Sequence, residues 1–146
     1  MVAAGRRRLL GGWTASGILT LQSGYPIGIG RPAVSDGRDP ALEDRTYQQW
    51  FDTSVFSPAA PFTFGNVPRT MPSIRTDGIR NVDLTISKYV PFGSRVRVQM
   101  RADVFNVFNR TQFGAPNTAV TNAAFGTISA QANGPREVQL GVKLYW

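Results

Sequence analysis

The chain contains no cysteine and no histidine. This excludes disulfides, thiolate nucleophiles, cysteine- or histidine-ligated zinc sites and any histidine-based acid–base pair. Long apolar runs are also missing. No stretch approaches the roughly 20 apolar residues that a membrane-spanning helix needs, so any membrane crossing must be made by strands. The first twelve residues carry Arg6, Arg7 and Arg8, but only Leu9 and Leu10 follow before Gly11 and Gly12. No apolar leader core is present there. The expectation is either a cytosolic protein or a chain whose true N-terminus lies elsewhere. Lysine is scarce too. Lys88 and Lys143 are the only two, and arginine carries most of the net charge of +7. A basic balance suits nucleic acid, but these arginines are spread along the chain with no single stripe. Solvated or lumen-facing charge is the plainer account.

What is present is alternation. Val138, Leu140, Val142, Leu144 and Trp146 occupy every second position of the final segment, with Gln139, Gly141, Lys143 and Tyr145 between them. Period-2 apolarity marks a strand with two different faces. Ending such a strand on tryptophan suits a membrane–water interface, where amphipathic rings collect. Trp13 to Gln22 repeats the pattern, with Trp13, Ala15, Gly17, Leu19 and Leu21 on one face. Between residues 79 and 90 it sets Val82, Leu84, Ile86, Lys88 and Val90 against Asn81, Asp83, Thr85, Ser87 and Tyr89. From 95 to 104 it sets Val96, Val98, Met100, Ala102 and Val104 against Arg97, Gln99, Arg101 and Asp103. The Pro91-Phe92-Gly93-Ser94 stretch between these two reads as a tight turn, giving a hairpin.

Residues 24–78 hold seven of the ten prolines and an acid cluster of Asp36, Asp39, Glu43, Asp44 and Asp52. They read as one long irregular loop, with a short helix near Ala41–Trp50 and a strand or turn at 52–56. The acid spacing fits no EF-hand loop, so no metal is expected. Residues 109–136, rich in Asn, Ala, Gly and Thr, form a second loop. A compact soluble domain seldom carries a structureless loop of the first one's size, whereas outer-membrane barrels carry long loops on one side.

Four strands are therefore predicted near 13–22, 80–90, 95–106 and 137–146. Ten tilted residues cover roughly 25 Å, the height of a barrel's apolar band. The expected fold class is all-β: an antiparallel up-and-down transmembrane barrel segment of about four strands with long extracellular loops. The single short turn lies on the periplasmic side by the barrel rule. Trp13, Tyr89, Phe92 and Trp146 then fall near one rim, and Phe105 and Phe108 near the other, as an aromatic girdle. Asp83, Arg97, Arg101 and Asp103 are a candidate lumen cluster. With no histidine or cysteine, the scattered acids and hydroxyls form no nucleophile–base pair, so no enzymatic activity and no cofactor are expected.

Residues 9–26 (LLGGWTASGILTLQSGYP), 79–114 (IRNVDLTISKYVPFGSRVRVQMRADVFNVFNRTQFG) and 136–146 (REVQLGVKLYW) resemble the C-terminal end of TonB-dependent outer-membrane receptors. The Oar-like group, which carries a carboxypeptidase-regulatory-like domain at its N-terminus, is the nearest in pattern. The segments from Asp103 to Asn109 and the final Leu-Tyr-Trp are the most specific parts. The resemblance implies a 22-stranded barrel in the outer membrane of a Gram-negative bacterium, plugged by an N-terminal domain. It also implies uptake of a bulky nutrient powered by the TonB–ExbB–ExbD complex. A chain lacking plug and TonB box is then expected to be a fragment, with Met1 an internal or spurious start. Expected partners are outer-membrane lipids, the rest of the barrel and plug, TonB, and the outer-membrane assembly machinery. That machinery would read Val138, Leu140, Val142, Leu144 and Trp146 as an assembly signal, and no nucleic acid is involved. The competing reading is a soluble all-β basic module that binds nucleic acid or polysaccharide through Phe105, Phe108 and neighbouring arginines. It requires the apolar strand faces to meet in a closed core.

Overall fold

The computed structural model describes residues 10–146. Most of the leader reading on residues 1–12, including Arg6 to Arg8, lies outside the described residues. Among the described residues there are eight strands: β1 (Trp13–Gln22), β2 (Pro26–Ile27), β3 (Ala33–Ser35), β4 (Phe56–Pro58), β5 (Met71–Arg75), β6 (Ile79–Phe92), β7 (Val96–Phe105) and β8 (Glu137–Tyr145). They fall into two compact units that draw on alternating parts of the chain.

The first unit is the four-stranded sheet β1-β6-β7-β8, whose long strands lie side by side in chain order. Both β6–β7 and β7–β8 are antiparallel. The β1–β6 pair runs the same way: the Tyr89 amide bonds the Gly12 carbonyl, while Gly17 lies against Asp83. Partner numbers thus fall as β1 advances. The alternating positions dictate this arrangement, because only a common register keeps four apolar faces on one side. β6 runs further than its pattern suggests, taking in Pro91 opposite Arg97 and Phe92 opposite Val96. The turn shrinks to residues 93–95, with Gly93 at φ 70° supplying the left-handed step. Gly12, at φ 76°, brings backbone so close to Tyr89 that a Cβ there would meet its carbonyl oxygen at 2.5 Å.

Beyond β7 the chain turns sharply. Asn106 and Asn109 adopt φ 50° and 49°, values that asparagine tolerates better than most residues. Asn106 is buried and ties three segments together. Its backbone N–H donates to Asp83 Oδ1 (2.9 Å), and its Nδ2 donates to the carbonyls of Arg110 and Gly134 (both 3.1 Å). Its Oδ1 accepts the Arg110 amide at 2.9 Å. Asn109 Oδ1 then accepts the Arg136 amide at 2.9 Å, holding the chain as it enters β8.

The second unit comprises Gln22–Ile79 and Thr111–Asn133. Here the structure departs from the irregular loop expected for 24–78. Two small antiparallel sheets, β2–β5 and β3–β4, frame a hydrophobic core of Ile27, Ile29, Ala33, Trp50, Phe51, Val55, Phe56, Val67, Ile74 and Ile128. Phe51 is 0% exposed and packs edge-on against Phe56 and Phe125 at ring separations of 6.0 and 5.3 Å. Trp50 donates its indole N–H to the Arg75 carbonyl at 2.8 Å and meets Phe113 at 5.9 Å. No helix forms at Ala41–Trp50. Asp39 caps the Ala41 amide, but Thr46 and Gln49 close a turn on each other instead of continuing a helical ladder. Residues 53–55 make one 3-10 turn capped by Asp52, and Phe56 opens β4.

The Asp52 carboxylate accepts from the Ser54 hydroxyl and amide, which holds its pKa below the usual carboxylate value. Asp36 is held down likewise, first by the Arg38 amide and then by its guanidinium at 2.8 Å.

Candidate functional site in the strand wall

Burial in the sheet is inverted relative to a water-soluble protein. Trp13, Leu19, Leu21, Ile86, Met100, Val138, Leu140, Val142 and Leu144 are exposed, and every fully buried apolar side chain among the described residues belongs to the loop unit. The register shows that the exposed apolar residues share one face. Val98 pairs with Leu144, Met100 with Val142, Ala102 with Leu140 and Val104 with Val138. Leu84, Ile86 and Val90 continue this face across β6. A continuous face of this kind needs an apolar solvent or a partner, and the hydrocarbon of a bilayer supplies one.

Lys88 stands on the apolar face opposite Met100, where a free ammonium would be costly. It is only 6% exposed. Its Nζ donates to the Gly11 carbonyl at 2.7 Å and sits 4.7 Å from the Trp13 ring centre. The long stem thus covers apolar surface while the charge reaches the rim, the geometry of snorkelling.

The register divides the expected aromatic girdle. Trp13 and Phe92 keep the apolar face, Trp13 through its contact with Lys88 and Phe92 through its pairing with Val96. Tyr89 and Phe105 correct the expectation: they pair with Gln99 and Glu137 and lie on the polar face. Their odd numbers place them there by simple alternation, because strand position, not ring chemistry, decides the side. Phe108 follows the strand in the Asn106 turn and is exposed. Trp146, just past β8, is 91% exposed.

The polar face also rearranges the expected lumen cluster. Arg101 and Asp103 are together, with Nε 2.8 Å from the carboxylate, and Thr85 donates to Asp103 at 2.6 Å. Asp83 lies along the same cavity wall but spends its carboxylate on the Asn81 amide group and the Asn106 N–H. Arg97 lies towards the turn end, 5.3 Å from the Tyr89 ring and 5.1 Å from that of Tyr145. Tyr145 and Lys143, which the charge pattern alone did not single out, complete this group. Tyr145 donates to Gln99 at 2.8 Å, and Lys143 Nζ is 5.0 Å from its ring. Their signal was available: on β8 they are the polar-face positions opposite Arg97 and Gln99.

The arrangement offers a wall with one face for lipid and one for water. No curated protein and no solved structure matches the chain. A family model described as an outer membrane beta barrel domain matches residues 3–139. With nearly the whole length matched and a strand wall of two opposed faces, the chain belongs to the outer membrane β-barrel domain family and resides in the outer membrane.

Proposed function

We propose that this chain forms the last wall strands of a TonB-dependent outer-membrane receptor of the Oar-like kind, which takes up a bulky nutrient. In this reading the polar face lines the lumen, the loop unit faces the exterior, and the chain carries no enzymatic activity. The lumen also holds a plug domain through which TonB supplies energy. The observation that supports it best is the open sheet. β1 and β8 are its outer strands, and four strands are too few to enclose a lumen, so further strands must complete the wall. The resemblance of residues 79–114 and 136–146 to receptor C-termini supplies the rest. β8 has a second role here. Its free edge pairs with the assembly machinery by strand addition before the wall closes.

The competing soluble module needs the apolar strand faces to meet in a core, and they stand exposed instead. The deciding experiment is formaldehyde crosslinking in cells with an epitope tag placed at Gly37, where nothing crowds the backbone. Tagged protein in the outer-membrane fraction should crosslink to TonB. Membrane-inserted protein with no TonB adduct in energised cells would sink the receptor reading and leave a passive barrel.

A further inference from the structure

We propose that the polar face of β7 and β8 carries a binding site for a small polyanionic solute, centred on Lys143 and Arg101. The inference requires only the barrel wall and is independent of energy coupling.

The pairing sets Arg97 opposite Tyr145, Gln99 opposite Lys143 and Arg101 opposite Gly141. Lys143 is therefore diagonal to both arginines, a backbone spacing of roughly 7–8 Å. Arg97 and Lys143 approach the same Tyr145 ring, at 5.1 and 5.0 Å from its centre. The bond from Tyr145 to Gln99 fixes that ring. Among the described residues, one carboxylate reaches the group: Asp103, which engages Arg101 through Nε. Three cations against one carboxylate leave a surplus of positive charge, and like charges crowded on one wall repel unless an anion joins them.

There is room for that anion. A Cβ built on Gly141 meets nothing within 4 Å. Beside Gly141 the polar face holds an open cleft of about 420 Å³, lined also by Tyr89, Gln99, Arg101, Lys143 and Tyr145. That volume lies within the usual range of small-molecule sites, roughly 300–1,000 Å³. Asp103 uses one side of the Arg101 guanidinium, and the planar fork can still present donors to an oxyanion. Lys143 supplies a second, point-like charge one diagonal away. A ligand with two neighbouring oxyanion groups, phosphate or carboxylate, spans both. The tyrosines wall the site and supply a hydroxyl.

The test is calorimetric titration of the full chain, purified in detergent micelles with its β-sheet circular dichroism intact. Inorganic pyrophosphate and citrate serve as probes. Saturable one-to-one binding of at least one probe is expected, weakened by raised salt. Lys143→Gln should weaken it at least tenfold, and Lys143→Arg should keep it within about threefold. Gly141→Glu, which places a carboxylate beside Arg101 and Lys143, should abolish it. Arg95→Gln, removing an equal charge in the turn, should change it less than twofold. If neither probe binds, or if Arg95→Gln and Lys143→Gln weaken binding alike, the site does not exist. Unchanged binding by Lys143→Gln overturns it as well, whether or not the Gly141 variant folds.

Discussion

Adjacent residues of β8 provide the sharpest test of the two-faced wall. Leu140 pairs with Ala102 on the apolar face and is 78% exposed, near the middle of a nine-residue strand. Gln139 pairs with Asp103 on the polar face. An arginine at 140 enters the hydrocarbon close to the bilayer midplane, at a cost of about 2–4 kcal/mol. That corresponds to a folding equilibrium lowered by roughly 30- to 900-fold. Arginine at 139 instead enters water opposite a carboxylate, where a cross-strand ion pair contributes up to about 1 kcal/mol. Urea titration in phospholipid vesicles, followed by tryptophan fluorescence and protease protection, should show Leu140→Arg folding only at much lower urea. Gln139→Arg should match the parent or exceed it. Equal losses in both variants, or no loss in either, would refute the assignment of faces.

Other perturbations separate the two units. Phe51→Ala removes a fully buried ring from the loop core and should cost about 3–5 kcal/mol there. Limited proteolysis should then cut within 22–79 while the strands stay protected. Asn106→Ala leaves the Arg110 amide and the Arg110 and Gly134 carbonyls without their side-chain partner, at about 1–3 kcal/mol. Hydrogen exchange should rise at 106–110 and 134–137 first. Asp36 and Asp52 have folded pKa values depressed below 3.8. Their contribution is complete above about pH 4 and is lost as the pH falls through the lower folded values. The protection factors of the Arg38 and Ser54 amides, with the intrinsic pH dependence of exchange divided out, should fall only in that acid range and stay constant between pH 5 and 8.

The wall strands were legible because alternation is a local property, and register follows once one face must be apolar. Tyr89 and Phe105 show that ring chemistry alone does not decide the face. Their ring chemistry suggested a girdle, while their odd positions already put them with the arginines. The loop core was opaque for a different reason. Ile27, Trp50, Phe51, Ile74 and Ile128 follow no period and come together only through tertiary contact, so no window of sequence contains the signal. The short helix expected near Ala41–Trp50 gives way to a turn: Asp39 accepts the Ala41 amide, and Thr46 and Gln49 then close on each other. Asp83 was recognisable as a polar-face acid. Its commitment to Asn106 depended on a left-handed turn that composition does not reveal.

The loop core has an immunological consequence. Two stretches far apart in the chain are stitched by the Trp50 amide to Gly126 and by the Ile128 amide to Tyr47, over the shared Phe51–Phe125 contact. The surface they present is therefore a composite, absent from either stretch alone. Antibodies raised against the folded protein should recognise this discontinuous epitope and ignore synthetic peptides covering 40–60 or 115–130. A vaccine or capture reagent aimed at this barrel would have to display both segments together, closed on their own small core.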